Sequence, residues 1–111
     1  MKNIILIGMP GAGKSTVGVL LAKSMGYDFV DADLVIQKQQ GTKLQNIIDE
    51  RGLDGFKQAE EQALLSINDK KAIIATGGSA VFSTAGMAHL KAASAYISEL
   101  TSRSLSAVLR I

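Results

Sequence analysis

The sequence predicts a three-layer α/β domain in which helices cover both faces of a parallel sheet. Short, continuous apolar runs of the kind that suits strands buried on both faces recur along the chain, the first of them at residues 4–7. Segments with helical spacing of apolar residues separate these runs, and glycines follow several of them. Strands that alternate with helices indicate right-handed βαβ crossovers, which make successive strands parallel.

The individual elements follow from these patterns in chain order. The first helix has apolar residues at helical spacing from Val17 to Met25, and Gly26 stands where a C-terminal cap is expected. Gly41 and Gly52 end the next two helices in the same way. The predicted strands lie at residues 4–7, 27–31, 72–76 and 95–98, and the predicted helices at 15–25, 34–40, 44–51, 54–68, around 89–93 and at 99–110.

Length and composition limit the possible classes of protein. With 111 residues, 47% of them hydrophobic and 20% charged, the chain has room for one domain, and we expect residues 1–111 to form it. A net charge of +2, scattered along the sequence, gives no stripe for nucleic-acid binding. The chain has no cysteine, no apolar stretch long enough to span a membrane and no leader-like segment. We therefore expect a cytoplasmic protein. A monomer is our working assumption, because nothing in the sequence determines the oligomeric state.

Residues 8–15, GMPGAGKS, match the pattern G-x-x-x-x-G-K-[ST] in full, between a predicted strand and a predicted helix. In such a P-loop, successive backbone N–H groups and the helix N-terminus bind phosphate. Lys14 would lie against the β- and γ-phosphates of ATP, and the Ser15 hydroxyl would bind Mg²⁺. The alternative is a glycine-rich turn that only joins strand to helix. The predicted nucleotide-binding residues are Gly11, Ala12, Gly13, Lys14, Ser15 and Thr16.

Two carboxylates, Asp31 and Asp33, follow the second predicted strand. Ligands of parallel α/β sheets bind outside the carboxyl ends of the strands, so both side chains should lie near the P-loop. One is suited to organise Mg²⁺, and the other to accept a proton from a substrate hydroxyl as the phosphoryl group arrives. The alternative makes Asp33 the N-cap of the next helix and leaves Asp31 at a solvated strand end.

Two further motifs are less specific. Lys57 follows Phe56 in the long predicted helix and could project into the cleft, held by Glu60 one turn on; the alternative is an exposed lysine in an ordinary helical ion pair. Gly77 and Gly78, in the run TGGS after the third strand, would let backbone approach a ligand closely; the alternative is a flexible turn. The single histidine, His89, has no acidic or hydroxyl partner in view, and we interpret it as structural.

Together these four motifs resemble the shikimate kinase family, in their order and in their spacing, over about residues 3–97. The resemblance implies ATP- and Mg²⁺-dependent phosphorylation of a small hydroxy acid. The implied acid is shikimate, and the phosphorylated group is its 3-hydroxyl. The resemblance implies that Asp33 contacts the ring hydroxyls and acts as base, while Asp31 supports Mg²⁺. It also implies that Lys57, Gly77 and Gly78 contact the substrate, and that Lys14 and Asp33 are catalytic.

The sequence departs from the family pattern at two of these positions. Lys57 stands where the family has an arginine that grips the substrate carboxylate, and Ser79 replaces the last glycine of T-G-G-G. Arginine offers a planar fork and lysine a point charge, so the first exchange is not conservative. It leaves open a kinase for a different small hydroxylated substrate. The serine keeps its backbone N–H, so the second change is smaller.

The family pattern continues past the fourth strand with a helix, a lid that carries a catalytic arginine, a fifth strand and a last helix. Here the sequence ends soon after its fourth strand, and neither Arg103 nor Arg110 lies in a lid-like motif, so we assign them no role. The resemblance thus implies a P-loop sheet without its last strand and lid. Because a lid excludes water from the phosphates, a nucleotide-binding module without turnover is a further alternative.

Overall fold

A computed structural model of the chain describes residues 3–8, 14–92 and 94–100, with the backbone alone at residues 14, 15, 81 and 94–100. The described elements are β1 (Asn3–Gly8), α1 (Lys14–Met25), β2 (Asp28–Asp31), α2 (Ala32–Gln40), α3 (Leu44–Ser66), β3 (Ala72–Gly77), a 3₁₀ helix (Gly78–Phe82), α4 (Thr84–Ala92) and β4 (Ser94–Leu100). No helix in these described ranges is both long enough and apolar enough to cross a membrane.

The four strands form one parallel sheet in the order β2-β3-β1-β4. This arrangement confirms the predicted α/β class, because every connection between paired strands is a crossover that contains a helix. The register aligns Gly8 at the end of β1 with Gly77 at the end of β3, and Asp31 at the end of β2 with Ala75. The carboxyl ends of these three strands therefore lie side by side.

The side chains of β1 and β3 alternate between the two faces of the sheet. On one face Leu6 and Ile73 pack with Val17 and Ala22 of α1. On the opposite face β1 and β3 pack against α3 and α4, in a buried cluster that includes Ile5, Ile7, Ile74, Leu64, Met87 and Leu90. Strands buried on both faces explain why their sequences are continuously apolar rather than alternating. The resulting three layers are those predicted.

A third cluster joins α2 to α3, and its buried members all belong to these two helices. Ile36 of α2 packs with Ile47, Ala59 and Ala63 of α3, and half-buried Phe56 packs against the group. These contacts place the face of α3 that carries residues 57–61 beside the carboxyl ends of the strands. The cluster therefore positions one wall of the site described below.

Three glycines stand where the sequence predicted that helices end. Gly26, Gly41 and Gly52 all have φ near +70° (69°, 70° and 71°). The backbone of α3 is helical on both sides of Gly52, where φ is 71° and ψ is −175°. This conformation is easily reached only by glycine, so the predicted break at Gly52 is confirmed, whereas the second helix ends at Ser66, two residues before the predicted end at residue 68.

The predicted helix at residues 99–110 is wrong at its first two positions. Glu99 and Leu100 belong to β4, where they pair with Ile7 and Gly8 of β1. Backbone pairing along the whole of β1 outweighs the local helical preference of these residues. The remainder of that predicted helix, including Arg103 and Arg110, lies outside the described residues.

The side chain of Asn3 forms hydrogen bonds at the amino end of the sheet. Its side chain is 2% exposed. Its Nδ2 donates to the backbone oxygen of Asp69 over 2.7 Å, and its Oδ1 accepts from the backbone N–H of Ala72 over 2.8 Å. A buried amide that satisfies two backbone groups in this way stabilises the start of both β1 and β3.

Candidate functional site

The phosphate-binding motif has the flanking elements that its sequence predicts. β1 ends at Gly8 and α1 begins at Lys14, so the motif spans the connection between a buried strand and the N-terminus of a helix. Gly11, Ala12 and Gly13 lie outside the described residues, and Lys14 and Ser15 are described as the first backbone positions of α1. Thr16 is exposed in the first turn.

Asp31 caps helix α2. Its Oδ1 accepts a hydrogen bond from the backbone N–H of Asp33 over 2.9 Å, and its backbone is extended, as is usual for an N-cap. The alternative that made Asp33 the cap is therefore wrong. Asp33 instead lies in the first turn of α2, half-buried, where its negative charge is favoured by the helix dipole.

The carboxylate of Asp33 faces the end of β3. A Cβ added to Gly77 would lie 3.9 Å from Asp33 Oδ1 and 3.8 Å from the Ser79 hydroxyl oxygen, which is ordinary van der Waals contact. A Cβ added to Gly78 would meet nothing within 4 Å. The glycine backbone is therefore open to a small molecule beside the Asp33 carboxylate. The structure thus brings Gly77 close to Asp33, with Gly78 next in the chain.

The buried hydroxyl of Thr76 lies at the same edge. Thr76 is 0% exposed and is paired with Ile7 of β1, one residue before the β1 strand end. In the described part of the chain, Thr76 Oγ1 is a buried side-chain polar atom without a hydrogen-bond partner. Such orphaned groups are rare in native proteins and are expected where a ligand or ordered water completes the site. The sequence analysis did not single out this residue.

A cavity of about 300 Å³ lies between α3 and the 3₁₀ helix, and Ser79, which lines it, is also the neighbour of the Gly77 backbone. Its lining includes Lys57, Glu60 and Glu61 from α3, together with Ser79 and the strongly exposed Phe82. Phe82 is 76% exposed. An aromatic ring this exposed at a cavity rim is available to contact a ligand, and the sequence pattern did not reveal it.

Glu60 does not hold Lys57 as the helical spacing predicted. The Glu60 side chain is 3% exposed, and its Oε2 accepts a hydrogen bond from Ser79 Oγ over 2.8 Å. Lys57 is exposed and forms no ion pair within the described ranges. The predicted ion pair is therefore wrong, because Glu60 faces the strand end whereas Lys57 points to solvent at the cavity.

His89 has a structural environment, in agreement with its interpretation. It is half-buried on α4, and its Nε2 lies 2.8 Å from the backbone oxygen of Ile67, at the end of α3. This contact satisfies a carbonyl that the helix leaves unpaired. In the part of the chain that the structure describes, no group of three or more His, Cys, Asp or Glu side chains could hold a metal ion alone.

A parallel sheet in which a G-x-x-x-x-G-K-S segment leads from a strand into a helix, beside a strand end with two carboxylates, is typical of P-loop kinases. The family model described as shikimate kinase matches residues 10–105. The chain belongs to the shikimate kinase family.

Individual relatives agree with this assignment. A shikimate kinase from Thermodesulfovibrio yellowstonii is 46% identical over 92 residues, which is 82% of this chain and 53% of that protein. Two solved shikimate kinases have the same fold. The enzyme from Acinetobacter baumannii, in complex with shikimate, has a TM-score of 0.82 at 34% identity over 90% of this chain and 56% of its own. The enzyme from Bacteroides thetaiotaomicron has a TM-score of 0.80 at 28% identity over 90% and 57%.

The chain spans about half the length of the curated relatives that it matches. The residues that the family model matches, 10–105, contain the P-loop motif from Pro10 onward and the other three motifs in full.

Proposed function

We propose that the chain is a single P-loop kinase domain that transfers the γ-phosphoryl group of ATP to the 3-hydroxyl of shikimate. One observation carries the proposal. The Asp33 carboxylate lies beside the open backbone of Gly77, and Gly77 is paired with Gly8, from which the P-loop motif leads to α1. A hydroxyl acceptor and a phosphate-binding segment thus share one edge of the sheet. One relative of the same fold, from A. baumannii, is described in complex with shikimate.

The nucleotide would bind where β1 leads into α1. The P-loop backbone and the N-terminus of α1 would contact its phosphates, because unpaired N–H groups and the helix dipole both favour an anion. Lys14 would neutralise charge on the β- and γ-phosphates, which grows as the phosphoryl group is transferred. The proposed nucleotide contacts are Gly11, Ala12, Gly13, Lys14, Ser15 and Thr16.

The donor chemistry of this edge suits Mg²⁺, which prefers oxygen ligands and keeps several of its waters. Ser15 and Asp31 would hold the ion with their side-chain oxygens. The Thr76 hydroxyl, buried at the same edge and without a partner among the described residues, supports a site that is completed by bound polar groups. When bound, Mg²⁺ shields the negative charge of the β- and γ-phosphates.

Asp33 would orient the acid and accept its proton. The substrate hydroxyl oxygen forms a bond to the γ-phosphorus while the bond from that phosphorus to the bridging oxygen breaks and ADP leaves. The hydroxyl proton passes to the Asp33 carboxylate and then to solvent. Because the transition state is loose, the proton leaves late, and correct placement of the hydroxyl contributes as much as basicity. Lys57, Gly77 and Gly78 would hold the remainder of the acid.

A specific observation favours a second candidate, a kinase for a less acidic polyhydroxylated substrate. The cavity wall presents one ammonium, Lys57, and two carboxylates, Glu60 and Glu61. An excess of negative charge repels a carboxylate unless one of the acids is neutralised or turned away. Hydroxyl groups carry no such penalty.

The experiment compares nucleotide affinity with turnover for the chain. Calorimetry measures binding of ADP with Mg²⁺, and a coupled ADP-release assay measures turnover with shikimate and with uncharged polyols of similar size. We expect nucleotide binding and turnover that depends on shikimate. Turnover only with the polyols would establish the second candidate, and binding without any turnover would leave a nucleotide-binding module.

A further inference from the structure

Ser79 makes an unusual contact for a residue in a glycine-rich connection. It lies near the start of the 3₁₀ helix, directly after Gly77 and Gly78, and its hydroxyl donates to Glu60 Oε2 over 2.8 Å. The two residues are 19 positions apart. This hydrogen bond therefore ties the connection after β3 to helix α3.

The acceptor in this contact is a nearly buried carboxylate. Glu60 is 3% exposed, and a carboxylate with so little access to water requires donors or cations nearby. Lys57 is one helical turn away, at a spacing that normally produces an ion pair. Lys57 forms no ion pair in the described part of the chain, whereas the Ser79 hydroxyl is one of the groups that contact the Glu60 carboxylate.

The charge of the cavity makes this choice of partner important. Lys57, Glu60 and Ser79 line the same cavity. If Glu60 paired with Lys57, the ammonium charge would be neutralised before an anionic ligand arrived. An arginine has a planar fork of five donors that can serve two carboxylates at once, whereas a lysine is a single point charge. A lysine at this position therefore offers more of its charge to an anionic ligand when Glu60 is bonded elsewhere.

We propose that Ser79 is a positioning residue that holds Glu60 away from Lys57 and so leaves the Lys57 ammonium available for the carboxylate of the acid substrate. The inference rests on the proposed function for the identity of the ligand. The arrangement of Ser79, Glu60 and Lys57 can also be tested without a ligand. The two departures from the family pattern, Lys57 and Ser79, then act as a pair.

The ligand-free test observes Lys57 directly. The ¹⁵Nζ resonance of Lys57 is compared by NMR in the parent, in Ser79→Ala and in the double variant Ser79→Ala/Glu60→Gln. Loss of the hydroxyl should let Glu60 turn to Lys57 and shift its resonance, and the neutral amide of the double variant should restore it. A Lys57 resonance that is unchanged in Ser79→Ala would overturn the proposal.

The ligand test measures affinity for shikimate by calorimetry with ADP and Mg²⁺ present. Ser79→Ala should raise the Kd for shikimate about tenfold, which is about 1.4 kcal/mol, and leave the Kd for ADP unchanged. Ser79→Thr keeps the hydroxyl and should retain parental affinity, and Ser79→Ala/Glu60→Gln should regain it. Ser66→Ala is the matched control, since the Ser66 hydroxyl is bonded to Gln39 on the outside of the domain.

The outcomes separate the two proposals. If the parent binds no shikimate, the proposed substrate is wrong, while the Lys57 resonance still decides the role of Ser79. If Ser79→Ala lowers thermal stability but leaves both the Kd for shikimate and the Lys57 resonance unchanged, Ser79 has only a structural role and the inference is overturned.

Discussion

The two walls of the proposed site differ in how the chain builds them. The nucleotide wall comes from one continuous stretch, residues 8–16, between the end of β1 and the first turn of α1. The acid wall comes from the start of α2, from α3 and from the connection after β3, and contacts such as Ser79 with Glu60 join segments distant in the sequence. The first wall is local, whereas the second depends on how α3 packs against the sheet.

This difference indicates that the two walls can be altered separately. A substitution in the P-loop should affect nucleotide binding with little effect on the acid, since it leaves the packing of α3 unchanged. A substitution in the acid wall should affect binding or turnover of the acid and leave nucleotide affinity intact. The following predictions test this separation, from the largest expected effect to the smallest.

Asp33→Asn should affect turnover most. Asparagine keeps the size and one acceptor oxygen of Asp33 but loses the charge and the basicity, so phosphoryl transfer should fall by roughly two to four powers of ten. The affinity for ATP should remain normal. A coupled ADP-release assay over a range of acid concentrations measures the rate, and calorimetry measures the affinity.

Asp31→Asn gives the contrasting result. Asparagine is also a good N-cap, so α2 should remain intact, and the loss should appear as a weaker response to Mg²⁺ that high metal concentrations partly recover. The outcome that would contradict the preceding prediction is turnover of the Asp33→Asn variant near the parental rate, because Asp33 would then not be the base.

Lys14→Ala should remove most of the stabilisation by nucleotide. A ligand present at about 100 times its Kd stabilises the folded state by about 2.7 kcal/mol, and loss of the ammonium against the phosphates should abolish most of this gain. Thermal unfolding with and without ADP and Mg²⁺ measures it. Lys23→Ala, an exposed lysine in the last turn of the same helix, should keep the full shift. An equal shift in Lys14→Ala would contradict the P-loop assignment.

Asn3→Ala should weaken the scaffold beneath both walls. The substitution leaves the backbone oxygen of Asp69 and the buried N–H of Ala72 without their partner, so the free energy of unfolding should fall by about 1–3 kcal/mol. Chemical denaturation measures the change. Asn46→Ala is the control, because Asn46 bonds only to nearby Thr42 at an exposed site and should cost less than about 0.5 kcal/mol. Equal losses of unfolding free energy in Asn3→Ala and Asn46→Ala would mean that the Asn3 hydrogen bonds do not stabilise the sheet.

Lys57→Arg should have the smallest effect, confined to the acid. A guanidinium fork in place of the ammonium should tighten shikimate binding by about 1 kcal/mol or more. Calorimetry with nucleotide present measures this change, and Lys38→Arg on the exposed side of α2 is the matched control. Equal or weaker binding by the Lys57→Arg variant would mean that this position does not hold the carboxylate.

The sequence predicted the nucleotide wall better than the acid wall, because the acid wall depends on how α3 packs against the sheet. The order of strands and helices follows from apolar periodicity, and the P-loop motif is continuous, so both can be recognised without tertiary information. Asp31 and Asp33 both fit the pattern of a cap, and only the start of α2 at Ala32 decides between them.

The contacts of α3 could not be predicted from the sequence, because they depend on how the helix is rotated about its own axis when it packs. Spacing along the helix favoured a pair of Lys57 with Glu60, but packing of α3 turns Glu60 toward Ser79. The strand at Glu99 and Leu100 likewise depends on the register of β4 against β1. The Thr76 hydroxyl, which has no partner in the described ranges, has no signature in the sequence, since threonine is common in strands.

The most direct test of the proposed site is a crystal structure of the chain with ADP, Mg²⁺ and shikimate. The account predicts that the 3-hydroxyl oxygen of shikimate lies about 2.6–3.2 Å from a carboxylate oxygen of Asp33. The same hydroxyl should face the β-phosphate of ADP across the space for one phosphoryl group, with Gly77 and Gly78 against the acid. Shikimate bound elsewhere, or held with its 3-hydroxyl beyond hydrogen-bond reach of Asp33, would contradict the claim that these strand ends form one phosphoryl-transfer site.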